Sequence, residues 1–322
     1  MQQPLFGARS AESFAVEFAR TIQPELVRLD NERRHYLRIA LAIWAVAAAV
    51  SAGLLVLVWW RGGGVPVLIL AGVMPLAVGW AASLSPAGRY RDAVRAIVMP
   101  PVCRFVGDLE YARTPRSGIE PMPLEMIGLL PAHSEVAQED EIRGRYRGTE
   151  FSMVEMTLRR VRRSGKKRKT TTVFHGVVLA LALPQPTEAR VLIEREAGVI
   201  GRSLANTSAA MRGLALVEFA DQPFEKEFRV YSDSPAEAQR LLGPLMRACL
   251  MAIAADRQRI NFKAAFTRDR FFCAFTSASL IEPGSLARPA ATLAEDVQRL
   301  LSEVTLPHRI VDNLHGNRAS AP

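Results

Sequence analysis

Cysteine is scarce in this chain, with three among 322 residues. That excludes a disulfide framework and fits a reducing compartment. Cys103, Cys249 and Cys273 lie far apart in apolar surroundings, so they read as buried, inert thiols. The five histidines, His35, His133, His175, His308 and His315, show neither H-x-x-x-H nor H-E-x-x-H spacing, which leaves no helical metal pair. There is no G-x-S-x-G elbow, no P-loop and no Rossmann fingerprint. Gly62-Gly63-Gly64 reads as a turn between apolar runs rather than a phosphate cradle. No internal repeat and no long low-complexity stretch occurs. The sequence therefore leads us to expect no catalytic residue, no cofactor and no metal.

Charge is missing from two long stretches near the start. The 22 residues Ile39 to Trp60 carry none, and a second uncharged stretch follows Arg61, with its apolar centre at Val65 to Leu84. At about 1.5 Å per residue each centre spans about 30 Å, the thickness of bilayer hydrocarbon. Separated only by Arg61-Gly62-Gly63-Gly64, they predict a transmembrane hairpin over 37–88. A cleaved signal peptide fits poorly, because the first run begins late, is too long and has no A-x-A site after it. Trp59, Trp60 and Trp80 suit interfacial anchors. Arg20, Arg28, Arg33, Arg34 and Arg38 precede the first span, and Arg89, Arg91, Arg95 and Arg104 follow the second. These basic flanks predict cytoplasmic termini, hence a multi-pass membrane protein. With no charge at membrane depth, the hairpin reads as an anchor rather than a transport path. Ala45, Ala49 and Gly53 align small side chains on one face of the first span, which leaves homo-oligomer formation open.

The remainder predicts an α+β protein. Residues 1–36 read as an amphipathic helical segment, with Phe14, Phe18, Ile22, Leu26 and Leu29 at helical spacing and a bend at Pro24. Residues 89–134 read as a connector whose helix is interrupted at Pro100-Pro101. From Glu135 the period becomes two, and residues 135–304 predict a strand-rich cytoplasmic domain, mixed but largely antiparallel. Strands are expected at 141–148, 151–161, 170–183, 190–196, 213–220 and 226–231. The Ser164-Gly165 tip joins the second and third of these. Ser234, Pro235 and Glu237 look like a capping box opening one long helix in the C-terminal half, with Leu241, Leu242, Leu245, Met246, Cys249 and Ile253 as its buried stripe. Strands Ile260 to Thr267 and Arg270 to Thr276 follow, joined by a turn at Arg268-Asp269. A short helix near 291–303 and a polar tail, 305–322, complete the chain.

Three blocks carry a resemblance. The first is Ile142-Arg143-Gly144-Arg145-Tyr146-Arg147-Gly148 with Phe151 and Glu155, leading to Val173-Phe174-His175-Gly176. The second is Val217-Glu218-Phe219 through Phe224-Glu225-Lys226-Glu227-Phe228-Arg229-Val230-Tyr231-Ser232-Asp233. The third is Pro235 to Leu242 with Phe262 and Phe271-Phe272-Cys273-Ala274-Phe275. Over roughly 135–285 and the two preceding spans the chain resembles the bacterial membrane-protein family called domain of unknown function 3137. The resemblance implies a membrane-anchored cytoplasmic domain and no particular activity.

Positive charge is concentrated rather than spread. From Arg89 onward there are 34 basic and 27 acidic residues. Eight of the basic ones are Arg159, Arg160, Arg162, Arg163, Lys166, Lys167, Arg168 and Lys169. Without them the rest of the segment is close to neutral. Such a tip gains by meeting an anionic surface, either lipid or an acidic protein partner. A solvated tip that only discourages edge aggregation is the competing reading. The tip lacks interleaved aromatics, so nucleic acid is not the expected partner. The acids Glu135, Glu139, Asp140 and Glu141 either attract the tip or face solvent, the latter being favoured. Glu225, Lys226 and Glu227, alternating with Phe224 and Phe228, suggest the charged face of a strand start. The leading expectation is a non-enzymatic, membrane-anchored interaction or scaffold module bound to the bilayer and to a protein partner. The alternative is a membrane-tethered enzyme with a spatially assembled site around His175 and a nearby carboxylate.

Overall fold

The computed structural model describes residue 16 and residues 18–107, 109–116, 118–165, 167–196, 207–255, 260–276, 301 and 303–314. The chain divides into two compact units, one built on residues up to Phe105, the other on Val106–Leu280 with Leu301–Pro322.

The first unit is helical. A π-helical turn, Phe18–Ile22, leads into α1 (Gln23–Trp60, 38 residues), and α2 (Val65–Val106, 42 residues) follows. Between them the chain reverses through a glycine-capped turn. Gly62 takes φ +69°, and the amides of Gly62 and Gly63 donate to the carbonyls of Trp59 and Val58. This satisfies carbonyls that the end of a helix otherwise orphans. A Cβ on Gly63 would lie 2.4 Å from Val58 Cγ1, so the turn also needs glycine for space. The helices contact each other through small residues. Gly79 sits against Ala47, and the Ser51 hydroxyl donates to the Gly72 carbonyl at 2.8 Å. Ala45, Ala49 and Gly53, the stripe noted in the sequence, are exposed instead.

Both helices outrun their apolar centres, and this corrects the expected breaks. Pro24 occupies the first turn of α1 rather than bending it. Pro100-Pro101 does not interrupt α2, which continues to Val106. Proline's fixed φ is itself helical, and its cost is a lost bond to the carbonyl one turn earlier and a clash of its ring there. A buried stripe of Val94, Val98, Met99, Val102 and Cys103 runs through that point, and such packing stabilises a helix beyond its propensity. Phe14 lies outside the described residues, while Ile22 and Leu29 are buried.

The second unit is α+β. Its strands are β1 (Glu110–Ala112), β2 (Glu135–Tyr146), β3 (Thr149–Ser164), β4 (Lys167–Arg195), β5 (Ala215–Val217), β6 (Phe228–Ser232) and β7 (Ile260–Thr276). Its helices include α3 (Pro121–Ile127), α4 (Gln222–Glu227), α5 (Pro235–Leu241), α6 (Pro244–Ala254) and α7 (Leu306–Leu314). The seven strands form one sheet in the order β1-β2-β3-β4-β6-β5, with β7 paired to the other side of β4. Every recorded pairing is antiparallel.

Strand β4 is continuous where the sequence suggested two strands. Its first part pairs with β3, its last residues, Val191–Arg195, pair with β6, and β7 pairs with both parts. The stretch with Pro184 and Pro186 is a bulged region. Residues 183–186 lie between the pairs Ala182–Arg270 and Thr187–Arg268, opposite only Asp269. Prolines have no amide to donate to a ladder, so such a region bulges rather than pairs. For the same reason Arg268-Asp269 is not a hairpin turn. Both parts of β7 pair with β4, not with each other, and Arg268 meets the bulge at φ +53°.

Three further expectations change. Glu225 to Glu227 belong to helix α4, not to a strand start. The Asp221 carboxylate caps α4 by accepting from the Phe224 amide at 3.2 Å, and Arg247 grips its other oxygen at 2.9 Å. That arginine, and then the Phe224 amide, hold the Asp221 carboxyl below its ordinary range. The single long helix is two short ones, α5 and α6, divided at Gly243-Pro244, because Pro244 favours a helix start and disfavours helix in the residue before it. The capping box does not form. Glu237 is held by Arg240, and also accepts from Thr187 Oγ1 at 3.0 Å; its pKa is thereby lowered to about 2. Finally, the expected polar tail contains α7, whose Leu306, Ile310 and Val311 are buried. Its apolar positions recur at helical spacing, so only one face is polar. The helix expected near 291–303 lies almost wholly outside the described residues.

Apolar side chains cover both faces of the sheet. On one face Val154, Met156, Leu158, Val178, Ala180, Leu192, Tyr231 and Ala274 join Leu124, Ile127, Leu129 and Leu130 in one core. The register places Phe151, Met153, Leu179, Leu181, Phe271, Cys273 and Phe275 on the opposite face, and all are buried. There His308 of α7 packs its ring 4.1 Å from that of Tyr146 and 5.7 Å from that of Phe151.

Two outcomes are expected. A Cβ at Gly176 would lie 2.1 Å from the Phe275 carbonyl oxygen on β7, so Gly176→Ala forces the strands apart and costs about 2–3 kcal/mol. The exposed Thr171→Ala stays within about 0.5 kcal/mol of the parent. Denaturant unfolding of the full-length protein in detergent checks both. Burial lowers the His308 pKa from 6.5 to about 4, with Asp312 opposing. The unfolded chain therefore binds the proton first. The stability His308 contributes is complete above pH 6.5 and is lost as pH falls toward 4. His308→Phe flattens that part of the stability–pH curve.

Candidate functional site

The β3–β4 hairpin outgrows the sheet. Strand β2 stops pairing with β3 at Glu135–Arg159, and β7 stops pairing with β4 at Gly176–Thr276. Among the described residues, 160–171 therefore form a two-stranded ribbon with no further strand on either edge. A bulge between Leu158 and Arg159 sits at its root, where an extra residue bends and twists a strand pair.

Alternation divides the charge. Arg159, Arg163 and Arg168 share one face with Glu135, while Arg160, Arg162 and Lys169 take the other. Arg168 forms an ion pair with Glu135. Arg160 folds back, its Nε and Nη2 donating to the Ala132 carbonyl at 3.1 and 2.7 Å. Arg159, Arg162, Arg163, Arg168 and Lys169 are exposed. Arg162 stands opposite Lys169, and Arg163 opposite Arg168. Like charges directly opposite disfavour a ladder, and an anion between them reverses the sign. Lys166 and the side chain of Lys167 lie outside the described residues.

At the root of the ribbon, His175 stands opposite Thr157. Its Nδ1 lies 2.9 Å from Thr157 Oγ1, and its Nε2 lies 3.8 Å from Glu155 Oε1. A histidine with a neighbouring carboxylate is thus present, as the alternative reading required. The Glu155 side chain is 10% exposed and that of His175 37%. Periodicity placed His175 on a strand but could not pick Glu155, whose proximity comes from the register of β3 against β4.

The acids before the ribbon do not simply face solvent. Glu135 meets Arg168 of the tip. Asp140 and Glu141 are buried. Asp140, at φ +52° in a bulge of β2, accepts from Tyr111 Oη at 2.6 Å and pairs with Arg113 at 3.0 Å. Glu141 accepts from the Arg116 amide at 2.7 Å and from Ser152 Oγ at 3.3 Å. These carboxylates pin the segment around 111–116, a buried-polar role that requires hydrogen-bond partners. The bulge is what sequence reading missed, because it turns acids inward that strict alternation would turn out. Cys103, Cys249 and Cys273 are buried and form no disulfide. Among the described residues no group of His, Cys, Asp and Glu is placed to hold a metal ion.

Residues 172–315 match the family described as Protein of unknown function (DUF3137). The DUF3137 match begins just past the basic tip and includes His175, β5 to β7 and α7. The second and third blocks of resemblance fall inside it. Ile142 to Gly148, Phe151 and Glu155 of the first block, the ribbon residues Arg159 to Lys169 and both long helices fall outside. Comparison with curated proteins gives no match. A similar solved structure is the crystal structure of the mycobacterial trehalose monomycolate transport factor A, TtfA. It is 12% identical, with 69% of this chain and 95% of that one covered and a TM-score of 0.33. A likeness that distant carries no argument about fold or function.

Proposed function

We propose that this protein is an anchor-plus-module of a bacterial inner membrane, non-enzymatic, with both termini and the α+β unit in the cytoplasm. In this reading α1 and α2 cross the bilayer in opposite directions, and the basic ribbon contacts anionic lipid headgroups. The observation that carries the anchor is the exposure of apolar side chains along both helices. Trp59, Trp60 and Trp80 are 77%, 85% and 58% exposed, and Val56, Ile69, Leu70 and Val78 each exceed 60%. Water would penalise so large a continuous apolar surface, whereas lipid covers it without cost. Ser51 fits the same reading, since its bond to the Gly72 carbonyl satisfies a hydroxyl that hydrocarbon would leave unpaired.

For the ribbon, the support is its freedom from the sheet and its opposed like charges. Each basic side chain near anionic lipid contributes about 1 kcal/mol, screened by salt. The test is hydrogen exchange of the full-length chain in nanodiscs. Amides of 160–171 are expected to gain protection in phosphatidylglycerol discs over phosphatidylcholine discs. The gain disappears in high salt, and in a variant with Arg162, Arg163, Arg168 and Lys169 all changed to glutamine. Equal exchange in the two lipids overturns lipid contact and leaves an acidic protein as the partner to seek. Cleavage of the C-terminal region by protease added outside intact spheroplasts overturns the topology.

A second reading, a membrane-tethered enzyme, draws on the approach of His175 to Glu155 and Thr157. It requires a turnover by the full chain that His175→Ala abolishes.

A further inference from the structure

Away from the ribbon, at the β2–β3 turn end of the sheet, a cleft of about 530 Å³ crosses several strands. Its size lies within the range of small-ligand sites, about 300–1,000 Å³. Five strands line it: Glu110 of β1, Arg143, Gly144 and Arg145 of β2, Glu150, Phe151 and Ser152 of β3, Ala182 of β4 and Arg270 of β7, with Gly118 on one wall. Three arginines against two glutamates leave a positive excess.

The two glutamates are already engaged. Glu110 accepts from Arg143 Nε at 3.0 Å and from its Nη2, and Glu150 pairs with Arg145. These pairs lie at the surface, where an ion pair is worth little and yields readily to a competing anion. Arg270 differs. It is exposed, and among the described residues it forms no ion pair. The register sets it beside Ala182, whose small side chain leaves the space above β4 open.

The segment that carries Gly118 is built rather than loose. The Gln138 side chain clamps Ile119, accepting from its amide at 3.1 Å and donating to its carbonyl at 2.7 Å. Gly118 takes φ +59°, and a Cβ there would lie 3.2 Å from Gln138 Oε1. Arg113 is held by Asp140 at 3.0 Å, and the Arg116 amide by Glu141 at 2.7 Å. A fixed wall lowers the ordering cost of binding.

We propose that this cleft is a binding site for a small oxyanion-bearing molecule, its phosphate or carboxylate held by the Arg270 guanidinium. A guanidinium presents paired donors that match either group bidentately. Arg143 and Arg145, two residues apart on one face of β2, receive a second acidic group from across β3 and β4. The ligand class is therefore a small polyanion, either an organic phosphate or a polycarboxylate. The site is independent of the membrane reading and of the basic ribbon.

The test is titration calorimetry of the full-length protein in zwitterionic detergent with two probes, inorganic pyrophosphate and citrate. Saturable binding of at least one is expected, and the probe bound more tightly separates phosphate from carboxylate recognition. Arg270→Gln is expected to weaken binding at least tenfold, with Arg270→Lys intermediate because it keeps the charge and loses the fork. A ribbon variant, Arg162→Gln with Lys169→Gln, is expected to bind like the parent. Absence of saturable binding for both probes overturns the proposal. So does parental affinity in Arg270→Gln, or loss of binding in the ribbon variant alone. Arg270 is exposed, so unfolding curves that superimpose on the parent's separate a binding defect from a folding one.

Discussion

The α+β unit depends on hydrogen bonding along both edges of one strand. β4 runs for 29 residues, borrowing β3 as a neighbour in its first part and β6 in its last, with β7 along the other edge. Because the strand is shared, the basic ribbon, the His175 pair and the core are extensions of a single ladder. Gly176 is where this arrangement is tightest, since only a residue without a Cβ admits the Phe275 carbonyl. The bulged stretch with Pro184 and Pro186 lets β4 change partner on one edge while β7 stays with it on the other.

Polar chemistry in this protein gathers where regular pairing fails. The β2 bulge turns Asp140 inward to Tyr111 and Arg113. The bulge at Leu158/Arg159 marks the point at which the ribbon leaves the sheet. Arg268 meets the β4 bulge two residues before Arg270, which stands at the cleft. Bulges re-aim side chains, and here the one at Leu158/Arg159 separates the apolar part of the sheet from the charged ribbon.

The helical unit answers to a different constraint. Its side chains are apolar on nearly all sides through the middle of both helices, so no single buried face accounts for them. Contact between the helices includes small residues, Ala47, Ser51, Gly72 and Gly79. Toward Val94 to Cys103 the pattern narrows to a stripe, which is why α2 persists through Pro100-Pro101.

Some of this was legible without coordinates. The two apolar runs, the glycine turn, the ribbon tip at Ser164-Gly165, the α+β class and the family resemblance all rest on local patterns, which periodicity and turn chemistry report directly. Local pattern also misled, because prolines at 184 and 186, Arg268-Asp269 and the Ser234 to Glu237 motif look the same whether or not tertiary contacts override them. Tertiary structure alone decided that β4 and β7 are continuous, that Glu155 approaches His175, that Asp140 and Glu141 are buried, and that Arg270 faces Arg143 and Arg145 across a cleft. Those facts depend on strand register. Register follows from which distant residues meet, and no single stretch of sequence contains both members of such a pair.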